Sequence, residues 1–394
     1  MGLGRNVRVL HHVLQCLKKL HLMLVFRPVW LSPSDERQPN PNGKGPHTNQ
    51  APPSRIHGGK VPPTSTEELY LQEQKQKEKM LRREFLQGSA IVGASLVLPR
   101  ILRASSGMWS EGGERTIARV LTAKSTMVQN TPVIRSFAGN HTDLVSPWVM
   151  LDEFGPMRIE PGTLGMDIKA HPHAGITPTT YLISGSGRHT DSLANDIVYR
   201  KGEFMLFSSG RGAIHEEVSS DEIRRDGGTV HGFQIWLNTP SQEKFCDPST
   251  VIHQREDTPI VTLGDAEIKV MIGSINGCTS PVFTFSPAFY YHITLPAGGR
   301  LDLPVDPTHN AFAHIIEGQL EGQGRNLLRD EQLALYDRGG DVMRFHAIED
   351  AEFLVLGGQP LNEPLVSYGP FVMNSQDQID ACIRNYRAGK MGHL

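Results

Sequence analysis

The chain has 394 residues, room for two or three domains of ordinary size. Its 39 Lys and Arg against 42 Asp and Glu leave a formal charge of -3, which argues against nucleic acid as a main partner, because phosphate binding needs a basic excess on some face. With 39 glycines and 27 prolines, the punctuation suits many short strands better than long helices.

Residues 1–79 do not read as a folded domain. They are expected to be a disordered extension, or sequence upstream of a true start at Met80. Residues 7–31 are apolar and basic, but Lys18, Lys19 and Arg27 break them too often for a membrane span. Residues 32–66 are rich in Pro, Gly, Asn and Ser and cannot bury enough surface to offset ordering entropy. The charged run from Glu67 to Lys79 reads as a solvated helix.

At Met80 the character changes. Arg82-Arg83-Glu84-Phe85-Leu86 leads into a short Gly/Ala-rich apolar stretch of signal-peptide length. Residues 80–105 therefore resemble a twin-arginine signal, and an exported, periplasmic protein is expected. The alternative is a short buried helix with a basic start, in which case the protein is cytoplasmic. No stable membrane insertion is expected.

From residue 115 onward, short apolar runs alternate with Gly turns, the pattern of an all-β chain. Two segments recur in order. Residues 180–185 (TYLISG) resemble residues 313–318 (AHIIEG), and residues 204–207 (FMLF) resemble residues 333–336 (LALY). A β unit repeated after about 130 residues suggests two tandem jelly-roll β-barrels. We expect the first barrel over 115–256 and the second over 257–394. Only Asp377 to Tyr386 has helical spacing, with Ile379, Cys382, Ile383 and Tyr386 on one face, so a short C-terminal helix is expected. Cys246, Cys278 and Cys382 have no close spacing and read as buried thiols rather than a disulfide framework.

The chemistry concentrates in two short pairs. His171-Pro172-His173 is expected to begin a strand, and residues i and i+2 of a strand share a face. His215-Glu216-Glu217 repeats the spacing, with Glu216 pointing away. On neighbouring strands these pairs would set three nitrogens and one oxygen around a point, a donor set for Fe, Mn, Ni, Cu or Zn rather than Ca or Mg. The same shifts that relate the repeats carry the four positions to Pro304, Asp306, Arg344 and His346, so the second barrel is expected to hold no metal.

The stretches SPWVMLDEFGP (146–156), HPHAGITPTTYLISG (171–185), GRGAIHEE (210–217), GFQIWLNTP (232–240), AEFLVLGGQPLNEP (351–364) and GPFVMN (369–374) resemble the pirin family. That resemblance implies a bicupin with one metal, usually Fe(II), in the N-terminal barrel, held by His171, His173, His215 and Glu217. Members commonly carry Gly-Phe-Glu-Thr after the H-x-H pair; here Gly175-Ile176-Thr177-Pro178 stands instead, which is expected to remove a carboxylate near the site. Some members resemble quercetin 2,3-dioxygenases, which implies a phenolic hydroxy-ketone substrate, O2 as co-substrate, and Glu217 as both ligand and general base. The alternative is a non-enzymatic, metal-bearing or redox-sensing partner protein. A monomer is expected.

Overall fold

The computed structural model describes residues 113–394. The N-terminal extension and the twin-arginine segment lie outside the described residues, and so does Cys16. Among the described residues, no helix is long and apolar enough to cross a membrane.

The first barrel is built from β2 (Lys124–Val128), β3 (Thr131–Ala138), β4 (Trp148–Ile159), β5 (Asp167–His173), β6 (Ile176–Ser184), β7 (Ser186–Asp191), β8 (Asp196–Arg200), β9 (Phe204–Ser208), β10 (Ala213–Ser219), β11 (Gly228–Asn238) and β12 (Ser249–His253). These form a seven-stranded sheet, β12-β9-β6-β11-β4-β3-β2, facing a four-stranded sheet, β5-β10-β7-β8. Alternate residues of the two sheets, among them Phe154, Leu182, Tyr199, Met205 and Val230, point inward and form its apolar base.

The second barrel repeats the plan. Its strands are β13 (Ile260–Leu263), β14 (Ala266–Ile272), the small hairpin β15 (Ser274–Ile275) and β16 (Cys278–Thr279), β17 (Ala288–Leu295), β18 (Arg300–Pro304), β19 (Asn310–Glu317), β20 (Gln319–Glu321), β21 (Leu327–Arg329), β22 (Gln332–Tyr336), β23 (Val342–Ala347) and β24 (Ala351–Gly358). The four-stranded sheet runs β18-β23-β20-β21 and the seven-stranded one ends in β22-β19-β24-β17-β14-β13. The sequence repeats fall on structurally equivalent strands, β6 with β19 and β9 with β22.

Two segments cross between the halves. The edge position beside β22 is filled by β1 (Ile117–Thr122), which belongs by sequence to the first half. In the other direction, the hairpin β25 (Val366–Tyr368) and β26 (Phe371–Met373), followed by helix α3 (Gln376–Arg387), packs on the first barrel. In α3, Ile379 and Cys382 are buried as the spacing predicts, but Tyr386 is exposed. Cys246 and Cys278 are half-buried rather than buried, and all three described cysteines are free thiols. Two short helices were not legible from periodicity, α1 (Thr142–Val145) and α2 (Asp221–Asp226). The second does carry local signals: Ser220 caps its N-terminus by accepting from the Ile223 amide, and Arg224 and Arg225 close its last turn.

The two seven-stranded sheets pack face to face. Phe137, Trp148, Tyr181, Phe204 and Phe233 of one meet Tyr290, Phe312, Leu335, Leu354 and Leu356 of the other. Hydrogen bonds also cross this seam: the Trp148 indole donates to the Gly357 carbonyl at 2.9 Å, and Tyr181 and His292 meet at 2.8 Å. We predict that Phe312→Ala, which empties a fully buried position in edge contact with Phe137 at 5.4 Å, costs about 3–5 kcal/mol and shifts both barrels together in one urea transition. Phe283→Ala, at a residue 73% exposed, should stay within about 0.5 kcal/mol of the parent.

Candidate metal centre

The His171-Pro172-His173 pair ends strand β5 rather than beginning one. The consequence for direction is unchanged, since positions 171 and 173 still share a face. Across the β5–β10 ladder His171 lies opposite His215, and His173 lies opposite Ala213. The ladder is irregular between His215 and Glu217, so Glu217 is set opposite Ile168 on one side and His189 on the other. Glu216 turns outward as expected and lies 3.5 Å from the Lys169 ammonium.

Three ring nitrogens converge. His171 Nε2 is 3.1 Å from His173 Nε2 and 3.1 Å from His215 Nε2. The far side of each ring decides what those nitrogens carry. His171 Nδ1 donates to its own strand's Lys169 carbonyl at 2.8 Å, and His173 Nδ1 donates to the Pro370 carbonyl at 3.2 Å. A carbonyl only accepts, and a neutral imidazole has a single N–H, so both Nε2 atoms present bare lone pairs. Burial pushes the imidazolium forms of all three histidines down, well below the ordinary range for His173 and His215, and the neighbouring rings push His173 and His215 further. Lone pairs facing one another repel, and protons are disfavoured there. A divalent metal is the partner that this donor set fits.

Glu217 is buried beside His215, within metal-ligand reach of His215 and His189 rather than of all three converging nitrogens. Its two oxygens are held from two other strands: Thr180 of β6 donates to Oε1 at 2.9 Å, and the Gln234 amide of β11 donates to Oε2. Phe207 stacks on the His215 ring at 4.6 Å and Trp236 stands edge-on to His173 at 4.9 Å, so the polar cluster has an aromatic wall.

The segment around β26 closes one side. Ala174 bridges to Phe371, and Gly175 sits at φ +76°, where a Cβ would lie 2.1 Å from the Val372 carbonyl oxygen. Only glycine allows that approach. Lys244 locks it: its buried ammonium donates to the Gly175 carbonyl at 2.7 Å, the Asn238 side chain at 2.6 Å and the Val372 carbonyl at 2.8 Å. Burial brings the Lys244 pKa down to about 7.

Thr177 does not sit where expected. On β6 it is three residues from Thr180, hence on the opposite face, and it meets Ser208 at 3.1 Å. It lines a cavity of about 410 Å³ between the halves, together with Leu206, Asn238, His253 and Phe283. A carboxylate at 177 would therefore face that cavity and not the histidines. Sequence reasoning also missed His189 and Asp191, which share the interior on β7 and carry the same i, i+2 spacing of imidazole and acid that marks the other two strands.

The second barrel differs by more than ligand loss. Its inward residues on β18 and β23, and just after β18, are Leu301, Leu303, Val305, Met343 and Phe345, all core. Arg344 and His346 point outward to Asp302 and Glu321. The offset from the repeat was thus one residue out of phase, which in a strand swaps the faces. Among the described residues, clusters able to hold a metal occur only in the first barrel.

The depressed imidazoles predict an acid-sensitive metal-free protein. Below about pH 6.5 the unfolded chain takes up protons that the buried rings resist, so the unfolded state binds more and stability falls with falling pH until the folded rings themselves titrate. The expected slope is up to about 1.4 kcal/mol per pH unit for each histidine. Urea midpoints between pH 7.5 and 5.5 measure it, and His173→Asn/His215→Asn should flatten the curve.

The sequence patterns of two families match the chain: Pirin over residues 129–237 and the Pirin C-terminal cupin domain over residues 290–392. A Pseudomonas aeruginosa protein named "Putative quercetin 2,3-dioxygenase PA2418" is 33% identical over 248 residues, 62% of this chain and 86% of that protein. Pirin-like protein 2 of Arabidopsis thaliana is 31% identical over 66% of this chain and 80% of its own. The crystal structure of quercetin 2,3-dioxygenase from Acinetobacter baumannii superposes with a TM-score of 0.68 at 29% identity, covering 71% of this chain and 99% of that one. Two barrels in the same order, both family patterns and these relatives together establish that the chain belongs to the pirin family.

Proposed function

We propose that the protein is a metal-dependent dioxygenase that opens a flavonol or related phenolic hydroxy-ketone with O2. The observation that supports this most is the convergence of three imidazole nitrogens beside a buried carboxylate, in a chain whose relatives include proteins named quercetin 2,3-dioxygenase. His171, His173 and His215 would hold the metal, Fe(II) being the first candidate and Mn, Ni, Cu or Zn the others, with Glu217, in reach of His215 but not of all three rings, as the candidate fourth ligand. Bound there, the metal would acidify a coordinated substrate hydroxyl and orient the ring for O2.

The protein's own part is to receive and place the proton. Glu217 is the buried carboxylate beside the ligand rings, and each of its oxygens keeps a lone pair beyond the bond from Thr180 or Gln234. It can take the hydroxyl proton as general base, with its plane fixed by two strands. The Phe207 and Trp236 rings exclude water on one side. His171, the least buried of the three histidines, marks the side from which substrate approaches.

Metal analysis should give one ion per chain, lost in His171→Ala/His215→Ala. Glu217→Gln keeps an oxygen donor but cannot take a proton near neutral pH, so turnover should fall at least a hundredfold, as loss of a general base does, while most metal remains. Glu216→Gln should match the parent. Oxygen uptake against a panel of flavonols decides the reading: a metal-loaded protein that consumes no O2 with any of them is a metal-bearing binding protein instead. We propose as well that Arg82 and Arg83 direct export to the periplasm. Arg82→Lys/Arg83→Lys should hold the protein in the cytoplasm, and unchanged secretion would end that proposal.

A further inference from the structure

His189 and Asp191 lie outside the proposed ligand set, yet they are among the most buried polar residues of the chain, at 0% and 2% exposure. They sit on β7 directly across from the ligand strand β10, His189 opposite Glu217 and Asp191 opposite His215. Burying an imidazole and a carboxylate there is costly unless both are fully partnered.

The partners form a line. Asp191 accepts from the Leu193 and Asn195 amides at 2.9 and 3.1 Å, from the Asn195 side chain and from the Thr250 hydroxyl. A carboxyl taking that many donors is a carboxylate, so His189 Nε2, 3.0 Å from Asp191 Oδ2, carries a proton and donates it. In a neutral ring that leaves His189 Nδ1 bare. It faces His215 Nδ1 at 3.4 Å, so His215 Nδ1 must be the protonated one. The remaining nitrogen of His215, Nε2, is then the bare atom aimed at His171 and His173.

We infer that His189, held by Asp191, is a positioning residue for the metal centre: it fixes His215 in its Nδ1–H form and so keeps the third ligand nitrogen free. His171 and His173 obtain the same setting from backbone carbonyls, of Lys169 and Pro370. His215 stands where no carbonyl reaches its far nitrogen, and a second histidine does the work of one. His189 has no lone pair left over, so it is not itself a ligand, although its nitrogen lies within ligand distance of His215 and Glu217. A rotated His215 in the other form would set an N–H among two lone pairs and lose the third donor.

This inference rests on the proposed three-histidine metal site but not on the oxygenase reaction, and its test uses neither substrate nor O2. In the full chain, with 15N-labelled histidine and no metal, long-range 1H–15N spectra should show His215 protonated at Nδ1. Co(II) affinity, read by chelator competition, should weaken ten- to a hundredfold in His189→Phe, the range seen when a partner behind a metal ligand is removed. Glutamine can donate to Asp191 with its amide and accept from His215 with its oxygen. His189→Gln should therefore keep Co(II) affinity within threefold of the parent and preserve the Nδ1–H signature. A merely structural His189 would lower the melting temperature of the metal-free protein in both variants and leave affinity unmoved. That pattern, or an unprotonated His215 Nδ1 in the parent protein, would overturn the inference. Should His189→Phe fail to fold, the parent spectrum and the glutamine variant still decide.

Discussion

Three imidazole nitrogens with their lone pairs turned towards one another form an arrangement that no chain adopts cheaply. Held at 3.1 Å without a proton or cation between them they repel, so the surrounding structure has to supply the force that keeps them there. That force comes from behind the rings. One acceptor belongs to the histidines' own strand β5, one to the segment before β26 and one to the neighbouring strand β7. The jelly roll suits the task because three antiparallel strands bring alternate side chains into one interior, and because its bases are set by long hydrogen-bonded ladders rather than by a loop.

Seen this way, Lys244 belongs to the same problem. Pro370 can accept from His173 only if the chain around Val372 is pressed against the Gly175 turn, and the buried ammonium presses it there through two carbonyls and an amide oxygen. A cation with no carboxylate in direct contact is an expensive fastener in a dry interior. Three well-placed oxygens offset much of that cost, and their geometry is more selective than an apolar contact would be.

The candidate site was legible because period-two spacing is a direct read-out of strand faces: the pairing of His171 with His173, and of His215 with Glu217, needed no knowledge of tertiary structure. The repeat was legible for the same reason, since Gly turns at 185 and 318 mark equivalent strand ends. What period two cannot supply is absolute phase. An error of one residue in aligning the halves named Arg344 and His346, where the interior holds Met343 and Phe345. Thr177, placed near the site by the family resemblance alone, has its side chain on the other face of the sheet. His189 and Asp191 carry the same spacing. Their meaning depends on which strand lies beside them, and strand order is a long-range property. Segment exchange was invisible for a related reason, because nothing in residues 117–122 says which of two similar sheets they will join.

That exchange bears on how such a chain can be inherited. The internal repeat points to an ancestor with a single barrel, copied head to tail. Once β1 had come to edge the second sheet and the region around Val372 had come to cover the first, the copies ceased to be separable modules. A recombination event at the midpoint would strip each product of an edge or a cover that the other now encodes. Selection would then act on the pair as a single heritable unit, which secures the second copy against deletion whatever chemistry each copy performs.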